Sequence, residues 1–190
     1  MGPSISTRVT SVRLLLRPPR AADVAEIRAR LRQNANHLRP WSPSAVPGDD
    51  PTSLTSVAKS VVRYRREWKR GESYVLLVTS REHGEPIVGR MSLGGIMRGV
   101  FQNAYLGYWI DAEHQGHGLM TEAVQAGVDF AFRECGLHRV QAAVMPRNVA
   151  SVRVLEKAGF RREGYAERYL CIAGVWEDHL IFARTSDERR

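Results

Sequence analysis

Gln115-Gly116-His117-Gly118-Leu119-Met120-Thr121-Glu122-Ala123 is the stretch on which the reading of this 190-residue chain turns. It follows an apolar, aromatic run, Ala104 to Ile110, with the composition of a strand. It opens a longer segment, Leu119 to Cys135, whose apolar residues recur at helical spacing. A turn from strand to helix leaves the first N–H groups of the helix without intrahelical acceptors, and with the helix dipole these groups bind phosphate. Gly116 and Gly118 carry no Cβ, so a pyrophosphate can approach the main chain closely. Two common phosphate loops are excluded. No third glycine follows at the dinucleotide-binding spacing, and no Gly-Lys-Ser/Thr completes a P-loop. Alone, the segment reads equally well as a connection that needs glycine for its geometry.

Composition narrows the class. The length, with 43% hydrophobic and 25% charged residues, fits one globular domain over residues 1–190 with a full core. No apolar run approaches the ~18 residues of a membrane span. Arg8, Arg13 and Arg17 interrupt the N-terminal segment, which excludes a secretory signal there. Cys135 and Cys171 have neither disulfide-framework nor metal-ligand spacing. They read as buried small hydrophobes, and a reducing cytoplasm is the expected compartment. None of the six histidines has a metal-ligand partner at useful spacing, so no metal is expected. The formal charge is +8, nearly all of it arginine. Lys59, Arg63, Arg65, Arg66, Lys69 and Arg70 crowd one helical segment against a single acid, Glu67. Such a face could dock on RNA, on an acidic protein or on cofactor phosphates; a solvated helix face explains it as well.

The order of elements is legible along the chain. Val12 to Arg17 reads as a strand and Ala21 to Asn34 as a helix. His37 to Pro43 and Pro47 to Pro51 read as loop, because prolines interrupt any periodicity. Thr52 or Ser53 can cap a helix running to about Lys69, with Leu54, Val57, Val61, Tyr64 and Trp68 on its apolar face. Three strands follow: Ser73 to Ser80, Pro86 to Met97 and Ala104 to Ile110, the first two joined by a turn at Glu82-His83-Gly84-Glu85. The long helix ends at Cys135-Gly136, with the glycine left-handed. A short strand, Val140 to Val144, precedes a helix from Asn148 to Gly159. A closing hairpin, Tyr165 to Ile172 and Trp176 to Ala183, turns at Ala173-Gly174. The expected fold is α/β (α+β): a mixed, mostly antiparallel sheet flanked by four helices.

A second motif decides between the readings of the first. Asn148-x-x-Ser151, then Val154-Leu155-Glu156-Lys157-Ala158-Gly159-Phe160, forms a strand-helix-strand unit closing on Gly-Phe. Both motifs resemble those of the GCN5-related N-acetyltransferases, in that family's order and at about its distance. The family turn, Arg/Gln-x-x-Gly-x-Gly/Ala, is matched by Gln115 and Gly118, with Met120 where a small residue is usual. Met120 must therefore point away from the ligand. Within the superfamily the chain resembles the RimJ/RimL group of ribosomal-protein N-terminal acetyltransferases, on its RimJ side, over roughly residues 12 to 184. Further matching pieces are Leu38-x-Pro40-Trp41, Leu106-Gly107-Tyr108, Met145-Pro146-x-Asn148 and Trp176-x-Asp178-His179.

The resemblance implies direct transfer of acetyl from acetyl-CoA to an amine. It places the pyrophosphate on Gln115, Gly116, His117, Gly118, Leu119, Met120 and Thr121, and the pantetheine arm along Tyr108, Trp109 and Ile110. Asn148 would hydrogen-bond that arm, or cap its helix, or both. A main-chain N–H near Ile110 is the expected oxyanion donor. The tyrosine acid of many superfamily members is replaced by Leu155, and Ser151, one turn earlier, is the substitute proton donor; a plain hydrogen bond to the cofactor is its alternative. Among the acids Glu167, Glu177 and Asp178, the general base is assigned to Asp178, whose alternative is a turn-stabilising role. Trp41, Tyr165 and Tyr169 would form the acceptor pocket. The acceptor implied is a protein N-terminus beginning with alanine or serine, on a ribosomal protein for example. A small-molecule N-acetyltransferase for aminoglycosides or polyamines is one rival. The other is a coenzyme A-binding module that docks on ribosome or RNA through residues 59–70. Monomer and homodimer stay equally open.

Overall fold

The computed structural model describes residues 2–43, 50–82 and 86–186. Two short strands open it, β1 (Val9–Thr10) and β2 (Leu14–Arg17). Three α-helices follow: α1 (Val24–Gln33), α2 (Ala35–Leu38) and α3 (Leu54–Arg70). Next come β3 (Tyr74–Ser80), β4 (Ile87–Met97), β5 (Asn103–Ile110) and α4 (Leu119–Arg133). The chain continues as β6 (Arg139–Val144), α5 (Val149–Lys157), β7 (Arg161–Ile172) and β8 (Val175–Thr185). The strands form one sheet in the order β1-β2-β3-β4-β5-β6-β8-β7. Among the described strands only β5 and β6 run parallel, so the sheet is mixed and mostly antiparallel, as expected.

Strand alternation assigns the helices to faces. Met91 and Arg90 are consecutive on β4 and therefore point to opposite faces. Met91 is fully buried against Gly127 of α4. Arg90 reaches Tyr64 of α3. Thus α4 covers one face, with α5 beside it through Gln125 and the Lys157 carbonyl, while α3 covers the other. Trp68 of α3 meets Tyr74 edge-on, with ring centroids 4.9 Å apart, and stacks on Phe130 of α4 at 5.8 Å. This aromatic cluster joins the two layers at one end of the sheet.

Local signals account for most boundaries. Ser53 caps α3 by accepting from the Ser56 N–H, and Gly71 ends the helix left-handed at φ 68°. Ala173 and Gly174, at φ 47° and 87°, make the tight turn between β7 and β8. Three expectations need correction. Residues 37–41 are helical rather than loop: α2 runs into a 3-10 turn, Arg39–Trp41. Pro40 sits in the first turn, where its missing N–H costs nothing, and the Ser42 hydroxyl returns to the Leu38 carbonyl at 3.0 Å. The one-turn α2 is thus a fifth helix. Leu54, the first residue of α3, is exposed, whereas Val57, Val61 and Trp68 are buried. The turn at His83-Gly84-Glu85 and much of the Pro47–Pro51 loop lie outside the described residues.

Gly89 tests the register that shapes the site. A Cβ there would lie 2.5 Å from the Trp109 carbonyl oxygen, a backbone atom that cannot swing away. Gly89→Ala should cost about 1–3 kcal/mol, read as a lower denaturant midpoint. Gly94→Ala on the same strand, where a Cβ meets nothing within 4 Å, should stay within about 0.5 kcal/mol.

Candidate active site

The site begins where two strands part. β5 and β6 pair only at Asn103↔Arg139, Ala104↔Val140 and Tyr105↔Gln141. Beyond Tyr105, β5 keeps its bonds to β4 as far as Ile110, while β6 turns with β8. The β5 edge facing β6 thus has unpaired backbone groups from Leu106 onward, open to an incoming extended chain. A cleft of about 380 Å³ fills the gap. Its walls are this edge, the turn before α4, the first turns of α5, and His37, Leu38 and Trp41.

The turn is held from outside. Asp111, fully buried, pairs with Arg30 of α1 at 3.1 Å and accepts from the Glu113 N–H. Asn34, at the end of α1, accepts from the Ala112 N–H at 2.8 Å. The end of α1 is therefore fastened to the chain leaving β5. Gly116 and Gly118 adopt φ 79° and 74°, which only glycine takes without strain. The first bond of α4 runs from the Glu122 N–H to the Gly118 carbonyl, so the amides of residues 119–121 have no helical acceptor.

Glu122 pins this turn to the N-terminal segment. Its carboxylate accepts from the Ser11 hydroxyl, the Arg13 N–H and the Arg13 guanidinium, each at 2.8 Å. Burial pushes its pKa up, but these hydrogen bonds outweigh it and hold the carboxyl below its ordinary value. Arg13 also donates to the His117 carbonyl at 2.9 Å.

On α5, Asn148 caps the helix by accepting from the Ser151 N–H at 3.1 Å. The Ser151 hydroxyl lies 2.7 Å from the Tyr108 hydroxyl, which also donates to the Ser151 carbonyl. Burial raises the Tyr108 phenol far above its ordinary pKa, and the bond to Ser151 lowers it only slightly. The pair therefore stays neutral and could pass a proton on only while taking another up. Leu155, at the place of the usual tyrosine, is fully buried in the core. A tyrosine hydroxyl reaches the cleft from β5 instead.

All the expected cofactor residues line the cleft except His117, whose main-chain carbonyl accepts from Arg13. The Met120 side chain is buried, with its methyl group against Gly89, which removes the conflict with a ligand. Trp41 lies at the mouth. Arg147 stacks over its ring at 5.1 Å and pairs with Glu177 at 2.7 Å. Asp178, Tyr165 and Tyr169 do not line the cleft. The Asp178 carboxylate accepts from the Tyr165 hydroxyl and, at 2.8 Å, from the Arg168 N–H. These bonds hold its pKa below the ordinary value, and Arg168 is left-handed at φ 46°. Asp178 thus closes a bulge in the hairpin, and a carboxylate so engaged makes a poor base. Tyr169 stands edge-on to His179, 5.7 Å away.

Sequence reasoning missed several wall residues. His37 Nε2 lies 2.9 Å from Gln115 Nε2, across 78 residues of sequence. The His114 Nδ1 atom is buried with no hydrogen-bond partner. Arg153 and Lys157 line the cleft one turn apart on α5. Their i, i+4 spacing after Asn148 was the available signal. Among the described residues no three His, Cys, Asp or Glu side chains converge into a metal-binding group, and no helix is long and apolar enough to cross a membrane.

The Glu122 clamp makes a pH-dependent prediction. A folded-state pKa below the ordinary 4.5 contributes stability that is fully present above 4.5 and lost as the pH falls through the depressed value. Glu122→Gln should lower stability by about 1 kcal/mol at pH 7. In denaturant titrations across pH, the difference from the parent protein should vanish toward the acid end.

Comparison with known proteins agrees with this geometry. Residues 13–161 match the model of the Acetyltransferase (GNAT) domain. The chain is 38% identical over 170 residues to the probable N-acetyltransferase YjcK of Bacillus subtilis, covering 90% of this chain and 92% of that one. It is 32% identical over 182 residues to the [ribosomal protein uS5]-alanine N-acetyltransferase of Escherichia coli, covering 95% and 92%. It superposes on the structure of Mycobacterium smegmatis RimJ in complex with CoA-disulfide with a TM-score of 0.91 at 32% identity, covering 100% and 92%. A parted strand pair, a glycine turn with free amides and a hydroxyl pair in one cleft, together with these matches, place the chain in the GCN5-related N-acetyltransferase family.

Proposed function

We propose that this N-acetyltransferase moves acetyl from acetyl-CoA to the N-terminal α-amine of a protein beginning with alanine or serine, a ribosomal protein being the leading candidate. One observation carries the cofactor half. The unpaired edge of β5 and the acceptor-free amides of residues 119–121 open into the same cleft. That combination suits a ligand with an amide-bearing arm and a pyrophosphate. The backbone of Tyr108, Trp109 and Ile110 would pair with the arm, Asn148 would supply a further hydrogen bond, and residues 115–121 would hold the phosphates, Gln115 and His117 as flanking members. Arg153 and Lys157 add positive charge.

In the reaction the amine nitrogen bonds to the acetyl carbon and the carbon–sulfur bond breaks. The departing thiolate takes a proton from the Ser151 hydroxyl, 2.7 Å from that of Tyr108, and the proton shed by the amine returns through water to the hydroxyl pair, which ends neutral. A main-chain N–H near Ile110 would steady the oxyanion. An N-terminal amine has a pKa of ~7.7–8.0, so much of it is already neutral at physiological pH. Water can take the remaining proton, so no dedicated carboxylate is required and Asp178 keeps its structural part.

The relatives' names support the protein acceptor, the uS5-alanine enzyme above all. So does the mouth, where Trp41, fixed by Arg147, offers a flat wall to a peptide. Tyr165 and Tyr169, exposed on the hairpin, would meet a longer acceptor beyond its first residues. Thiol release from acetyl-CoA, with mass spectrometry of the acceptor, tests the assignment. Peptides starting with Ala or Ser should be acetylated on the free α-amine, whereas N-blocked lysine peptides, spermidine and aminoglycosides should not. Turnover of the small amines alone would overturn it. Ser151→Ala and Tyr108→Phe should each lower kcat by about 10²-fold, with the KM for acetyl-CoA nearly unchanged.

A further inference from the structure

A second cavity, of about 510 Å³, lies under α1 and α3 on the face of the sheet opposite α4. We infer that it is an anion subsite for the acceptor, taking a carboxylate side chain near the acceptor's N-terminus, with Arg90 as the residue that reads it. The inference rests on the α-amine acceptor proposed above and names the acceptor's chemistry.

Position comes first. Arg90 on β4 stands opposite Trp109 on β5. Trp109 lines both this cavity and the cleft. Trp109 is thus the residue the two spaces share, and an acceptor whose amine enters the cleft beside it would reach Arg90 past that indole.

The chemistry of the walls comes second. Arg90 is half-buried, and its guanidinium donates to the Tyr64 hydroxyl at 3.2 Å while lying 5.9 Å from that ring. Among the described residues no carboxylate pairs with it. A guanidinium has five N–H donors, so most of its fork remains to be satisfied. Arg63 lies over the same ring at 5.2 Å, and its acid, Glu67, is 3.7 Å away on the open helix surface, where such a pair is weak. Lys59 adds a third cation at the exposed rim. The indole Nε1 of Trp109 is buried and has no hydrogen-bond partner. Buried donors left unpaired are costly and rare in native proteins. One such donor, the Trp109 Nε1, borders this space beside the Arg90 fork, and none of the described residues lining it is an acid.

A carboxylate answers this arrangement. It accepts two hydrogen bonds from an arginine fork. The apolar walls, with Val57, Val61 and Leu77 among them, suit the methylene stem of an aspartate or glutamate. A polyamine or aminoglycoside would meet like charge instead. The same geometry gives the basic face of α3 a task that needs no RNA, since Lys59 and Arg63 border the cavity while Arg65 is engaged with the Pro19 carbonyl at 2.9 Å.

The test uses the full chain and matched peptides beginning with alanine, carrying Glu, Gln or Lys at the second or third position. The Glu peptide should show a KM at least ten-fold below its Gln counterpart, at similar kcat. Arg90→Gln should raise the KM for the Glu peptide to that of the Gln peptide, leaving the Gln peptide and acetyl-CoA unchanged. Arg90→Lys should restore part of the preference. Lys59→Gln, at the exposed rim, should weaken it without any effect on folding. Equal KM values for Glu and Gln peptides, or an Arg90→Gln variant that shifts both alike, would overturn the inference. Inorganic phosphate that competes with the Gln peptide through Arg90, with no preference for acidic peptides, would overturn it in favour of a phosphate site. If no peptide turns over, the α-amine reading fails separately. Small amines with and without a carboxylate then decide: an Arg90-dependent preference for the acidic ones keeps the subsite, and its absence removes it.

Discussion

The parting of β5 from β6 after Tyr105 and Gln141 is the constraint on which the rest of this molecule depends. A fully paired sheet would satisfy its own backbone groups and offer nothing to a ligand. Here the parallel pairing stops after three residue pairs while β5 continues to Ile110 along β4. The exposed stretch holds Tyr108, Trp109 and Ile110. Alternation then sends Tyr108 toward Ser151 of α5 and Trp109 toward the cavity under α3. One unpaired strand end thus serves both faces of the sheet, which a catalyst that joins two substrates requires.

Such an opening weakens the sheet locally, and the surrounding contacts hold it. Arg30, Asn34 and Asp111 fasten α1 to the chain that leaves β5. Ser11 and Arg13 fasten the N-terminal segment to Glu122 and the glycine turn. Asp111 is fully buried and Glu122 partly so. Burying these charges carries a desolvation cost that well-aligned partners must offset, and removing one partner would leave the other stranded. Both clamps bridge segments some 80 to 110 residues apart. They limit the freedom of the free amides before ligand arrives, which is preorganisation in the sense that matters for binding.

Charge in this protein is allotted by position more than by amount. The +8 excess suggests a basic surface, yet many arginines have internal tasks. Arg17 pairs with the buried Asp23 in two bonds, at 2.7 and 2.9 Å. Arg65 binds a carbonyl, Arg98 donates to the Cys135 carbonyl, and Arg147 braces Trp41. Cys135 itself is buried, and burial pushes its thiol up to about 12, so it is unreactive at physiological pH. Asp178 shows the converse. An acid in a recognisable motif became a hairpin fastener because its register on β8 turns it toward Tyr165 and Arg168 rather than the cleft.

The sequence by itself determined the order of the main strands and helices, though not β1 or α2, and with it the glycine turn, the α5 cap at Asn148 and the family. Each of these rests on residues close together in the chain: glycines that permit positive φ, caps that satisfy nearby amides, apolar periods that select helix or strand. It also marked many of the residues that line the cleft, those in two continuous motifs, while His37, His114, Arg153 and Lys157 went unmarked. Only the tertiary structure decided the rest. The proximity of Tyr108 to Ser151, of His37 to Gln115, and of Arg90 to Tyr64 spans 26 to 78 residues. No local pattern encodes such separations. They follow from strand register and from the faces on which α3 and α5 settle, and those are set by packing of the whole core at once.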